Sequence, residues 1–289
     1  MTSSQEVTPA DSVLSVLSSI DNWPVPRVAG AVRDGSGEWI THGDIRDRYG
    51  LASVTKLLSA HAMLVAYEEG VFDLDTDLSP RGPEGATVRH YLSHASGVGF
   101  ASPKPEKPVG ERRLYSSAGF DVVADAIAAE TEMSFSEYLR LATFEPLGME
   151  SSALHGSAGH AGEGNVVDLM NFVDEILEPT LLDPATVDEA LTVQFPGLNG
   201  VVPGYGLQKP ADWGLGFQIY SQPESRGGLW FGADMPGDTV GHFGQAGTFV
   251  WLHKATGRAA IVLTERPFGD WAKPLWTEFN DALWQALDS

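Results

Sequence analysis

Ser53-Val54-Thr55-Lys56-Leu57-Leu58-Ser59-Ala60-His61-Ala62-Met63-Leu64-Val65-Ala66-Tyr67 opens on a serine and a lysine three residues apart and continues as a mainly apolar run. From Val54 to Tyr67, apolar residues fall on nearly every side of a helical projection. That is the pattern of a helix buried at the centre of a protein rather than lying on its surface. Gly70 is placed to end it. Residues three apart share a helix face, so the Lys56 amine can reach the Ser53 hydroxyl. A serine becomes nucleophilic beside a base, and lysine serves as that base only when its amine is partly neutral. Burial and the positive end of the helix dipole both favour the uncharged amine. The helix start also leaves the Ser53 N–H without an intrahelical acceptor, which makes it a candidate oxyanion donor.

The surrounding sequence places this helix between two strand-rich regions. Before it, Asp11 is a candidate cap for a short helix carrying Val13, Leu14, Leu17 and Ile20, ended by Asn22, Pro24 and Pro26. The runs from Val28 to Arg33 and from Glu38 to Thr41 flank Asp34-Gly35-Ser36-Gly37, which predicts a β-hairpin. After it come helical patterns from Val88 to Ser93, Phe120 to Glu130 and Val166 to Leu177, and a helix capped at Ser134 with Glu137 completing the box. Strand patterns return from Leu215 to Tyr220, Thr248 to His253 and Ala259 to Thr264, the last two joined at Thr256-Gly257. A closing helix carries Trp271, Leu275, Trp276, Phe279, Leu283 and Leu287 on one face. The expectation is an α/β (α+β) fold: an antiparallel sheet flanked by N- and C-terminal helices, with an inserted all-helical lobe. One domain would span 1–289. Its α/β lobe would take in about 1–69 and 211–289 and its helical lobe about 70–210, with the site at their junction.

Composition narrows the partners. The chain has 289 residues, no cysteine and a formal charge of −21, with 43% hydrophobic residues. That excludes a disulfide-stapled module and a disordered acidic chain, and it allows a sizeable core. Such a charge repels phosphate backbones and anionic lipids, and the lysines form no basic patch, so neither nucleic-acid nor membrane binding is expected. Met1 to Asp11 has no basic residue ahead of an apolar stretch, and no 18-residue apolar run exists. The expectation is a soluble, cytoplasmic protein that acts on a small molecule, with oligomeric state left open.

Two further strings support the serine–lysine pair. Tyr115-Ser116-Ser117 lies between a loop and a helix, and His242-Phe243-Gly244 lies just before the strand pair. Loop ends at a lobe junction are where functional side chains collect. A tyrosine directed at Ser53 could share its proton traffic. His242 could tune Tyr115 or contact substrate, Gly244 would let the strand backbone approach an acyl group, and the Gln245 N–H is a second candidate oxyanion donor.

With these three elements in order, the chain resembles serine β-lactamase-like hydrolases. This is the class C and penicillin-binding group that includes D-alanyl-D-alanine carboxypeptidases, D-aminopeptidases and carboxylesterases. The likeness runs from about Val28 to Leu287, and Tyr91-Leu92-Ser93-His94-Ala95-Ser96-Gly97, Pro146-Leu147-Gly148-Met149 and Trp213-Gly214-Leu215-Gly216 also match. The resemblance implies Ser53 as nucleophile, Lys56 as its base, Tyr115 as second proton-transfer residue and His242 as the third-motif cation or hydrogen-bond partner. It implies no cofactor and no metal.

Two positions depart from the family. Ser117 stands where asparagine commonly holds a substrate amide, and Phe243 stands where a threonine or serine hydroxyl commonly helps bind a carboxylate. Losing that hydroxyl weakens recognition of a peptide or β-lactam carboxylate, and cell-wall peptides lie outside the cytoplasm. Both points favour a carboxylesterase acting on small or apolar acyl esters. The alternatives are a β-lactamase or D-amino-acid peptidase, and a binding or sensing module that has lost turnover. His90 and His94 could share a metal, but with no third ligand evident they read as packing residues. Trp213, Trp230 and Phe243 are candidates for either pocket wall or core.

Overall fold

The computed structural model describes residues 8–221 and 229–288. The sequence reading of residues 1–7, that they carry no secretory signal, lies outside the described residues.

Helix α1 (Pro9–Ser18) is capped by Thr8, whose side chain accepts from the Asp11 N–H while the Asp11 carboxylate returns to the Thr8 backbone. Asp11 is therefore the inner partner of a capping box and not the cap, because Thr8 holds the extended dihedrals that a cap requires. β1 (Val28–Arg33) and β2 (Trp39–Gly43) form the expected hairpin. Its turn is tied by Asp34 Oδ1, which accepts from the Ser36 and Glu38 N–H groups at 2.8 and 3.1 Å. After β3 (Tyr49–Gly50) and a 3-10 turn over Ala52–Val54, helix α2 (Thr55–Glu68) runs through the interior. Gly70 follows it at φ +77°, a conformation that favours glycine.

Helices α3 (Val88–Leu92), α4 (Ala118–Thr131) and α5 (Phe135–Leu139) follow, and α5 continues as a π-type turn over Arg140–Phe144. Ser134 caps α5, but the Glu137 carboxylate pairs with Arg140 instead of closing the box. Next come β4 (Ala153–Leu154), β5 (Gly162–Gly164), α6 (Val166–Leu177) and α7 (Pro184–Ala190). β6 (Gly200–Val202) pairs with β7 (Gly206–Gln208). The inserted region is thus mostly helical but carries short strands that the sequence reading did not contain. Its glycines at 162, 164, 200 and 206 let the backbone pair closely where side-chain alternation is too short to see.

β8 (Gln218–Ile219), β9 (Val240–Gly244), β10 (Thr248–His253), β11 (Arg258–Thr264) and α8 (Ala272–Asp288) complete the chain. Six strands form one sheet in the order β2-β1-β11-β10-β9-β8, every pairing antiparallel. The expected strand from Leu215 shrinks to two residues. Gly216 sits at φ +90° and donates to Leu92 O, and a Cβ on Gly214 would lie 2.0 Å from Ala190 O, so this segment packs on the helical region instead. β9 is an additional strand, which moves His242 from a loop end into the sheet.

Strand alternation divides the core between the two faces of the sheet. Phe249, Trp251 and Val262 face α1 and α8 with Leu17, Trp276 and Phe279. Val250, Leu252, Ile261 and Leu263 face the other way, toward α2 and α6. Helix α2 is buried on nearly all sides, as its composition predicts. Among the described residues, no helix is long and apolar enough to cross a membrane.

Candidate active site

Ser53 is delivered by a strained turn. Ala52, directly before it, adopts φ +46°, uncommon for a residue with a side chain and characteristic of functional sites. β9 approaches this turn closely enough that a Cβ on Gly244 would lie 2.5 Å from Leu51 O and 2.5 Å from Thr248 Oγ1. Gly244 therefore serves the contact between β9 and the turn that carries Ser53. Thr248 Oγ1 locks the same turn by donating to Leu51 O at 3.0 Å.

Lys56 is fully buried one turn into the interior. Its Nζ lies 2.7 Å from Gly159 O, 3.0 Å from Ser117 Oγ and 3.4 Å from Ser53 Oγ. Burial pushes the amine down to about 7, opposed by the negative charge of Asp121. A neutral amine has two N–H bonds and one lone pair. With Gly159 O and Ser117 Oγ each taking an N–H, the lone pair is left for the Ser53 hydroxyl. Ser117 thus lies beneath the cavity as a partner of Lys56, not on its wall as a substrate contact.

Tyr115 closes the other side. Burial raises the proton affinity of its hydroxyl above that of an ordinary phenol, opposed by the neighbouring Ser53. The ring lies over the amine, 4.6 Å from Nζ to its centroid. His242 Nδ1 is 2.7 Å from Phe243 O, so Nδ1 carries the proton and Nε2 accepts from the Tyr115 hydroxyl at 3.4 Å. Burial, then the Lys56 charge, push His242 down to about 3, against the bond to Phe243 O. At neutral pH the site therefore holds a neutral imidazole and a neutral phenol beside a half-neutral amine. His242 is a hydrogen-bond partner and not a cation.

A cavity of about 300 Å³ opens above these groups. Ser53, Tyr115 and His242 form its polar floor, and Phe100, Val202, Pro203, Trp213 and Phe243 supply apolar walls, with Gln218 and Gln245 at its side. No lysine or arginine lines it among the described residues. Alternation on β9 sends His242 toward α2 and Phe243 toward α8, where the Phe243 ring packs 4.9 Å from Phe268. Gln245 follows the end of β9, and its side chain donates to Phe268 O at 3.1 Å. Trp213 is a wall of the cavity, whereas Trp230 is core and donates to Gln218 Oε1 at 2.9 Å.

The sequence reading missed Gly159, Asp121 and Phe100. The first lies in the glycine-rich loop from Gly156 to Gly164, whose composition was the only signal available. His90 and His94 do not converge: His90 bonds Thr87 Oγ1 at 2.8 Å, while His94 Nδ1 accepts from the Ser116 N–H at 3.1 Å. Among the described residues, no cluster of three or more histidines and carboxylates is arranged to hold a metal.

A serine hydroxyl, a buried amine that is half neutral at pH 7 and a phenol thus meet under one cavity of a mixed α/β fold. The chain belongs to the beta-lactamase family, whose model matches residues 29–281. It is similar to the crystal structure of a beta-lactamase from Mycobacterium bovis, with 44% identity, TM-score 0.89, and coverage of 94% of this chain and 99% of that one. The fold also matches simvastatin synthase from Aspergillus terreus, at 15% identity and TM-score 0.78, over 98% of each chain. It matches EstCE1, a hydrolase with promiscuous acyltransferase activity, at 14% identity and TM-score 0.76, over 96% of this chain and 98% of that one. Comparison with curated protein sequences gave no match.

Proposed function

We propose that the protein is a serine hydrolase that works through an acyl-enzyme and acts on small or apolar acyl esters. The observation that carries this reading is the buried Lys56 amine, 3.4 Å from Ser53 Oγ and held from its other sides by Gly159 O and Ser117 Oγ, beneath an apolar cavity. Ser53 Oγ attacks the ester carbonyl as its proton passes to Lys56 Nζ. The N–H groups of Ser53 and Gln245 hold the oxyanion. Tyr115, too weak an acid to work as a phenolate at neutral pH, relays a proton from Lys56 to the departing alkoxide. Water then enters, gives its proton to the same relay and releases the acid, which restores Ser53.

An ester is favoured because, among the described residues, no lysine or arginine lines the cavity, and Phe243 offers no hydroxyl to a carboxylate. A chromogenic short-chain ester is expected to be hydrolysed, and Ser53→Ala to abolish that activity. Unchanged turnover in the variant would remove Ser53 as nucleophile. A second reading, β-lactam hydrolysis, is favoured by the 44% identity to a protein described as a beta-lactamase. Exposure to a fluorescent penicillin separates the two, since neither covalent label nor hydrolysis is expected on the ester reading.

A further inference from the structure

Asp121 stands in the first turn of α4, six positions beyond Tyr115, and its carboxylate is engaged by a distant loop. It accepts from Ser157 Oγ, 2.9 Å from each carboxylate oxygen, and from the Ala158 N–H at 2.9 Å. Ser157 Oγ in turn accepts from the Gly159 N–H at 3.0 Å, and Ala158 O accepts from Ser59 Oγ of α2 at 2.7 Å. These bonds tie the loop to both α4 and α2 and aim Gly159 O at Lys56 Nζ. The fit is tight on the remaining side, since a Cβ on Gly159 would lie 2.7 Å from Ser117 Cβ.

We propose that Asp121 is a positioning residue for the catalytic amine: through Ser157 and Ala158 it holds Gly159 O on Lys56 Nζ and so directs the lone pair at Ser53. The proposal rests on the acyl-enzyme reading and adds how its base is oriented and charged. Without the Gly159 acceptor the amine would rotate, and an N–H would face the Ser53 oxygen as readily as the lone pair. A proton could not then leave Ser53 for Nζ as the bond from Oγ to the acyl carbon forms.

The same carboxylate acts through its charge. The other titratable groups around the amine are Tyr115 ahead of α4, His94 after α3 and His242 on β9, all held neutral at pH 7 by burial. Asp121 is left as the charge that opposes the desolvation of Lys56. Its removal lowers the proton affinity of the amine further, and the loss of the Ser157 bond loosens the loop without altering that charge. Two substitutions therefore have different signatures.

The test is the pH dependence, from 5 to 9, of Ser53 labelling by a fluorophosphonate probe in the full-length protein. In the wild type the rate should rise with a half-maximum near 7, as the amine loses its proton. Asp121→Asn keeps an oxygen for the Ala158 N–H but loses the charge. Its half-maximum should move to lower pH, which raises the fraction of plateau rate reached at pH 6 by about twofold or more. Ser157→Ala should leave the midpoint in place and lower the plateau about tenfold. An unmoved midpoint in Asp121→Asn overturns the charge role, and an unchanged plateau in Ser157→Ala overturns the positioning through the loop; two variants that match the wild type overturn both. A wild type unlabelled at every pH overturns the acyl-enzyme reading and this role with it. Labelled wild type with unchanged variants overturns the role of Asp121 alone.

Discussion

Each role proposed at the residue scale follows from what burial does to a proton. Lys56 in solution would hold its proton to 10.5, and in the fold it releases it near 7. Ester turnover, expressed as kcat/KM, should therefore climb through about pH 7 as the base becomes neutral, with no limb assignable to His242, already neutral far below that range. The same shift has a consequence for stability. Between about 7 and 10.5 the unfolded chain binds a proton at Lys56 that the folded chain does not, so this residue's contribution to stability rises with pH across that window. Urea unfolding at pH 7 and pH 9 should show that increment in the wild type and its loss in Lys56→Met, a variant also expected to lose about 10³-fold or more in turnover. The Ser-x-x-Lys spacing made this pair legible in sequence. The occupancy of its N–H groups was not, because Ser117 and Gly159 reach Lys56 from segments 61 and 103 residues away.

At the element scale, β9 and the Ala52–Val54 turn depend on one another. Gly244 is a glycine because the Leu51 carbonyl and the Thr248 hydroxyl occupy the space of a side chain. Gly244→Ala should separate strand and turn, lowering ester turnover at least tenfold and stability by about 1–3 kcal/mol, checked by kinetics and urea unfolding. β9 itself was not evident from sequence. Val240-Gly241-His242-Phe243-Gly244 mixes glycine and histidine into a run whose strand character comes from pairing with β10, not from its own residues. α2, by contrast, was legible because a helix apolar on every side has one stable location. Asp11 shows the limit of such signals: an acidic residue near a helix start fits both cap and inner box position, and only Thr8's backbone angles chose between them.

On the scale of the whole molecule, Arg113 joins segments that the chain keeps far apart. Fully buried, it donates to Ser93 O at 2.9 Å, Ala211 O at 3.0 Å, Phe195 O at 3.1 Å and also to Gln194 O. Burial lowers its proton affinity to about 10, which leaves the guanidinium charged at neutral pH. Those carbonyls belong to the chain leading to His94 and to the approach to Trp213, and Arg113 is two positions before Tyr115. Arg113→Met should leave several buried carbonyls unpaired and reduce stability by about 3 kcal/mol or more, measurable by urea unfolding. Misplacement of Tyr115 and Trp213 should lower turnover even in the fraction that remains folded.

What the sequence determined by itself was local or periodic: the all-round apolar α2, the β1–β2 and β10–β11 hairpins, the amphipathic closing helix, and a serine and lysine one turn apart. Each is set by neighbours within about a dozen positions, where spacing dictates which side chains meet. Tertiary structure decided whatever depended on segments meeting across the fold. It made Ser117 and Gly159 the partners of Lys56, put His242 inside a strand as a neutral acceptor, and set Gly244 against the turn that carries Ser53. The physical reason is that a proton's preference and an atom's clearance are set by everything within a few ångströms, and here those surroundings come from distant stretches of chain.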